Sequence, residues 1–382
     1  MAEPRHPLRR WIGTVPVRER FDAAATSRRV PPATSTLLPF FEQLWAIART
    51  TYAEGIRQPV LLVAITAGTI LVILSNPFSG FTLDDDQRLF VDLALSTIFL
   101  TEVVLAAFLA TSVLNRELEN RTALTVLSKP VSRPTFVLGK YLGVSAALLT
   151  SLAFLGLVFL LAEIHGAMQT VTTPHHLPVL TFGTSAVVLA TLAGATANFL
   201  YGWAFTSTTV LLGVPLLLLA YVLSLLFGPD WTPHAIGTDF EPDIVIAVLS
   251  LAIGLLMLVA VAIAASTRLG QLPTLAATLV VFMLGLLSDW LFGRTIAAFE
   301  SRFAEMPAGE LSSIDASHLA YWGCRVAYAV VPNFQIFWLT DAITQGSSIP
   351  LSYLAVAIPY GLMMIVAILA LASVLFQRRE IG

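Results

Sequence analysis

Cysteine is almost missing from this chain. Cys324 stands alone among 382 residues, which excludes an intramolecular disulfide framework and a cysteine-ligated zinc cluster. Charge is scarce as well: Asp, Glu, Lys and Arg make up 12% of the residues, about half of the ~25% usual in soluble domains. The net charge of −3 offers no broad basic surface for nucleic acid. The motifs of several catalytic classes are missing too. No GxxxxGK[ST] phosphate loop occurs, because Gly139-Lys140 is followed by Tyr141 and has no upstream glycine. Neither a GxSxG elbow nor a helical HExxH is present. The sequence therefore reads as a non-enzyme, and any ATP-driven work would need another chain to hydrolyse the nucleotide.

What is abundant is apolar sequence. Hydrophobic residues make up 57% of the chain and the mean hydropathy is +0.81. Eight apolar runs lie at about 59–76, 89–113, 136–162, 179–200, 208–228, 244–267, 271–293 and 351–376, each near the ~20 residues that cross a bilayer. Unpaired backbone groups are costly in hydrocarbon, so these runs must be helices. The predicted fold class is an all-α integral membrane protein, a polytopic bundle of about eight transmembrane helices. Asn76-Pro77 is expected to close the first run and Pro273 to open the seventh. Gly202 and Trp203, between the fourth and fifth runs, carry no charge and suit a tight hairpin.

Residues 1–38 are rich in Arg, Pro, Ala and Thr and lack the apolar core of a signal peptide. They read as a disordered cytoplasmic extension, with basic residues that could also meet anionic lipid. Residues 39–58 place Phe40, Phe41, Leu44, Trp45, Ile47, Ala48, Tyr52 and Ile56 at helical spacing, the pattern of an amphipathic interfacial helix. The membrane domain then occupies 59–382. All but four of the 21 Lys and Arg residues fall on one side of the resulting topology; the four are Arg88, Arg294, Arg302 and Arg325. The acidic stretches Asp84-Asp85-Asp86 and Asp230 to Asp243 fall on the other. The positive-inside rule then puts both termini in the cytoplasm.

The segment between the second and third runs, Asn115 to Gly143, is the most informative. Arg116, Arg121, Lys129, Arg133 and Lys140 give it more basic residues than any other stretch between two apolar runs. Glu117 and Arg121 stand four apart and face one another across a helical turn, so a short polar helix is expected there. Pro130 and Pro134 stop that helix and restart the chain as the next. A plain basic loop obeying the positive-inside rule is the simpler reading. The residues Arg116-Glu117-Leu118-Glu119, Thr122, Leu127-Ser128-Lys129-Pro130, Ser132-Arg133 and Gly139-Lys140 together resemble the cytoplasmic segment of type-2 ABC exporter permeases.

That resemblance implies a good deal. Segment 114–135 would be a cytoplasmic coupling helix docking on a separate ATP-binding subunit, through Arg116, Glu117, Glu119, Arg121, Lys129 and Arg133. The chain itself would hold no cofactor, since ATP and Mg belong to the partner. Two copies, or one copy with a second permease, would pair in a bacterial cytoplasmic (inner) membrane. The family's usual core has six spans, so two helices are extra, and 179–228 is the pair expected to be additional. The tail Phe376 to Gly382 and the outer segment 294–350, with a re-entrant element before the last span, also look like this family.

Two further features remain. Glu102 is the ionisable residue that lies deepest inside a run. Such a carboxyl can bind a cation, carry protons or pair with a polar neighbour; a protonated, hydrogen-bonded structural role is the favoured reading, and Glu102→Gln is then expected to preserve folding and coupling. His165, His175 and His176 cluster near Glu163, which makes a metal site conceivable, although the flanking Thr and Pro residues favour a solvated loop. Two other functions compete with the permease. A membrane-bound enzyme or envelope assembly factor would use the outer segment, and an ion-coupled carrier would use Glu102; neither gives the coupling-like segment a purpose.

Overall fold

The computed structural model describes residues 37–80, 86–119, 132–167, 175–305 and 316–377; for 37–39 and 114–119 it describes the backbone alone. Two units divide after Glu42. Of the first, the described part is the start of one helix, where Phe40 and Phe41 meet edge to face at 5.4 Å. The second, Gln43–Gly382, holds the rest.

The described elements are helical, in the order α1 (Leu37–Ile56), α2 (Pro59–Ser79), α3 (Asp86–Glu119), α4 (Arg133–His165), α5 (Leu177–Tyr201), α6 (Phe205–Ser224), α7 (Pro242–Ser266), α8 (Gln271–Leu286), α9 (Arg294–Glu305), α10 (Ala316–Val330), α11 (Thr340–Thr344) and α12 (Leu351–Gln377). A π turn, Asp289–Gly293, joins α8 to α9, and a 3₁₀ turn, Gln335–Phe337, precedes α11. Among the described residues seven helices are long and apolar enough to cross a membrane, or eight with the bent pair α8–α9 taken as one span.

Local chemistry explains the starts. Proline stands in the first turn of α2, α4, α5 and α7, where its missing N–H is no loss. Ser132 caps α4 by accepting from the Thr135 N–H at 3.2 Å. At the end of α5, Gly202 takes φ +67°, the left-handed conformation that terminates a helix at glycine. The chain then reverses within three residues into α6. The α5–α6 hairpin is so close that a Cβ on Gly194 would collide with the Thr209 side chain.

Three expected boundaries shift. The first span continues through Pro77 to Ser79, and α8 begins at Gln271, ahead of Pro273. The backbone of 115–119 extends α3 without a break and starts no separate helix. The run expected at 271–293 is broken near Ser288, where α8 and the following helix bend by 49°. Gly285 lies at that break against Pro332 and Phe334, and a Cβ there would meet both. The entering loop needs the space.

Contacts sort the helix ends into two groups. At one end Asn76 donates to Gly166 O (2.6 Å), Gln87 to the Glu163 carboxylate (3.2 Å), Leu177 N to Pro229 O (3.3 Å) and Ile349 N to Asp243 (3.1 Å). At the other, the Gln58 amide and the Ser112 hydroxyl exchange hydrogen bonds of 2.7 and 3.0 Å, and Arg133 reaches the end of α12. Helices α3, α4 and α7 form the centre, with Phe90, Val103, Leu105, Val144, Leu155, Phe159, Leu258 and Val259 buried.

Helix α1 packs on α4 through small residues. A Cβ on Gly139 would lie 2.6 Å from Ile47 Cγ2, one on Gly143 2.6 Å from Ala48 O, and one on Gly55 3.2 Å from Ala147 Cβ. The contacts advance together along both helices, Ile47 with Gly139, Thr51 with Gly143 and Gly55 with Ala147, so the two run parallel, backbone close to backbone, as small residues permit between membrane helices.

Candidate functional site

The functional reading rests on a line running from one end of the bundle to the other. At the Arg133 end, α3 has 34 residues and α4 has 33, well beyond the ~20 needed to cross hydrocarbon. The apolar part of α3 ends at Val113. At this end both helices therefore continue beyond the apolar zone. Of the residues expected to dock a partner, Arg116, Glu117 and Glu119 have a helical backbone continuing α3. Their side chains lie outside the described residues, as do Arg121 and Lys129 entirely.

Arg133 is described, and its guanidinium donates to the carbonyls of Phe376 (3.2 Å) and Gln377 (2.7 Å). These belong to the last turn of α12, whose carbonyls have no partner within the helix, and a cation there also meets the negative end of the helix dipole. The same guanidinium stands 6.0 Å from the Phe376 ring centroid. Phe376 stacks on Phe136 at 5.6 Å, and Lys140, one turn further along α4, places Nζ 5.5 Å from the Phe136 centroid. A ladder of cations and rings thus fastens the start of α4 to the end of α12. Lys140, one of the five basic residues of the segment 115–143, is only 2% exposed. The four-residue spacing from Phe136 is the signal that could have shown this.

Midway along α3, Glu102 is fully buried. Ser151 of α4 lies within electrostatic reach, but neither carboxyl oxygen nor the Ser151 hydroxyl has a hydrogen-bond partner in bonding geometry. One turn toward the other end, Phe99 packs on Phe282 (5.2 Å) and Trp338 (5.7 Å).

Above Glu102 the chain enters the bundle from the far end. Phe334 and Phe337, in the segment between α10 and α11, are fully buried. Phe334 meets Phe282 at 5.7 Å, and Phe337 fills the space left by Gly254 and Gly361. Polar atoms hold this entry in place. Tyr328 donates to Asp289 at 2.5 Å, the Asn333 amide donates to the same oxygen at 3.2 Å, and Asn333 N–H donates to the Tyr360 hydroxyl at 2.9 Å. The bond to Asp289, and then burial, hold the Tyr328 phenol above its ordinary pKa. The aromatic residues were visible in the sequence as a stretch interrupted by Pro332 and Asn333. Their partner Asp289 was not, because it ends an apolar run 44 residues earlier.

His165, His175, His176 and His234 lie at this same end. His165 and His175 stack at 5.7 Å. His176 caps α5, its Nδ1 accepting from Val179 N–H at 3.4 Å, so its proton sits on Nε2, 3.9 Å from Asp239. His234 lies 3.0 Å from the same carboxylate. Burial lowers the His176 pKa, opposed by Asp239 and assisted by His234. Among the described residues no group of three His, Cys, Asp or Glu side chains is placed to hold a metal ion.

Comparison with known families gives one result. A model described as ABC-2 family transporter protein matches residues 60–271, from α2 to the start of α8 and more than half of the chain. No curated protein matches. A many-helix membrane bundle, two overlong helices bracketing a basic segment, and this match lead to one conclusion: the chain belongs to the ABC-2 transporter family and is a multi-pass membrane permease component of an ABC transporter.

Proposed function

We propose that the chain is the membrane subunit of an exporter driven by a separate ATP-hydrolysing subunit, which docks on segment 114–135. The observation that carries this reading is where that segment is attached. The apolar windows of α3 and α4 are 61% and 78% enclosed by protein, the highest values among the spans. A push on the link between them is passed into the centre of the bundle, because close-packed interiors transmit strain. Arg116, Glu117, Glu119, Arg121 and Lys129 are the docking residues in this reading, while Arg133 positions the segment by holding α4 to α12. ATP and Mg bind the partner, and two copies of the chain, or one with a second permease, complete the complex. The 114–135 segment and both termini face the cytoplasm of a bacterial cell, and the Phe334–Phe337 entry forms a plug on the outer side. Glu102 beneath it is structural in role, a neutral carboxyl at the level where the plug ends.

The test is purification of the intact protein in mild detergent from its native host, scoring a co-purifying ATPase, beside a variant with Glu117→Ala and Arg121→Ala. The reading expects a stoichiometric ATPase that falls at least about tenfold in the variant, the effect of roughly 1.4 kcal/mol of lost docking energy. A folded wild-type protein with no ATPase partner would overturn it.

A further inference from the structure

The α5–α6 hairpin leaves a space in the bundle wall. Helix α5 leans on α6, and between α5, α2 and α4 runs a groove of about 540 Å³. Ile73 of α2, Val158 and Leu161 of α4, and Gly183 and Val187 of α5 form its walls, and Leu217 of α6 its back. It extends along α2 from Thr69 to Pro77, about 12 Å at 1.5 Å per residue.

The occupant follows from the shape and from the polar atoms. Water is a poor one: among the lining side chains only Thr69 Oγ1 and His165 Nδ1 are buried without a partner. They sit toward opposite ends, and an ordered buried water needs two to four polar partners. A helix from a second copy is the competing occupant, and the experiment below separates it from lipid. The walls are also continuous with faces that meet lipid, since Ile70 and Leu74 on α2 and Val188 and Leu192 on α5 are exposed.

We propose that this groove is a lipid-binding site, holding an acyl chain of a bilayer phospholipid with its tail toward Thr69 and its headgroup level with His165. At that level the lipid meets the stacked His165 and His175 rings and leaves Asn76, whose amide is engaged by Gly166 O, undisturbed. The chain completes the packing between α2 and α5, which no side chain among the described residues completes. The site is independent of which ATPase the protein uses.

The experiment uses the full chain reconstituted in nanodiscs of phosphatidylethanolamine and phosphatidylglycerol, doped with phosphatidylcholine bearing a diazirine in one acyl chain. After irradiation, labelled peptides are mapped by mass spectrometry, and groove labelling on α2 and α5 is expressed relative to Met363 and Val366, which are exposed on α12. Gly183→Leu should lower that ratio at least fivefold, since the new side chain projects into the groove. Gly183→Ala should keep it, because its Cβ makes only an ordinary 3.6 Å contact with Leu161. Thr184→Phe fills the same groove from its open side and serves where Gly183→Leu gives no monodisperse protein. An unchanged ratio in the filling variants would overturn the proposal, leaving only bulk lipid contact. So would disulfide-linked dimers of a Val188→Cys, Cys324→Ser chain, which would place a second copy over the groove.

Discussion

Helices α4 and α12 are almost equally apolar, with mean hydropathies of 2.4 and 2.5 over their best windows. Yet 78% of the first window is enclosed by protein and 22% of the second. In water such a difference would be written in hydropathy. In a bilayer the lipid is as apolar as leucine, so a helix gains nothing from hiding leucine, and association depends on close packing. Helix α4 carries Gly139, Gly143, Ala147, Ser151 and Gly156 along its length, which let α1 and α7 approach its backbone. Exposed Leu362, Met363 and Val366 on α12 are bulky and face outward. Small side chains, more than apolar ones, mark the centre of this protein.

The comparison can be broken most severely at Gly143. Gly143→Ala places a Cβ 2.6 Å from the Ala48 carbonyl, backbone that cannot swing aside, and overpacking of this kind costs about 1–3 kcal/mol. The expected outcome in fluorescence-detected thermal unfolding is a large fall in midpoint for Gly143→Ala, and almost none for Gly183→Ala on the outlying α5. Equal midpoints would remove the distinction between the two helices.

A smaller effect is expected where α5 starts. Burial, opposed by Asp239, lowers the His176 pKa below its ordinary 6.5, so the neutral ring is the one that fits. A lowered folded pKa gives a contribution that is full above the unfolded pKa and is lost as pH falls through the folded value. Protonation also blocks Nδ1 from accepting the Val179 N–H. Between pH 7 and pH 5 the wild type should lose about 1 kcal/mol more than His176→Asn, which keeps a cap without titrating in this range. Parallel pH curves would show that the cap carries no such linkage.

The smallest effect is expected at Glu102. Its oxygens have no hydrogen-bond partner in bonding geometry, so an uncharged isostere forfeits no bond, and Glu102→Gln should change stability by less than about 1 kcal/mol and leave transport intact. Loss of transport at normal expression and midpoint would instead give Glu102 a part in moving substrate or protons.

Much of the architecture was readable beforehand. Seven of the eight apolar runs match long helices to within a few residues, and the eighth falls on the bent pair, because crossing hydrocarbon fixes both the length and the helical form. Pro134 marked the start of α4, and Gly202 the turn between α5 and α6. The break in the seventh run escaped notice, since it depends on Pro332 and Phe334 arriving at Gly285 from far along the chain. The role of Arg133 depends on distance in the same way: in the sequence it is a basic residue beside a membrane boundary, and only Phe376, 243 positions away, shows what it holds.

The sequence by itself determined the solvent of this protein, its helical form, the positions of its spans and its membership of a permease family, because each of these follows from local composition or from a contiguous match. The tertiary structure alone decided which helices form the centre, that Phe334 and Phe337 enter the bundle above Glu102, and that a groove remains beside α5. Those outcomes depend on the fit between side chains far apart in the chain, and in a lipid solvent hydropathy carries no information about that fit.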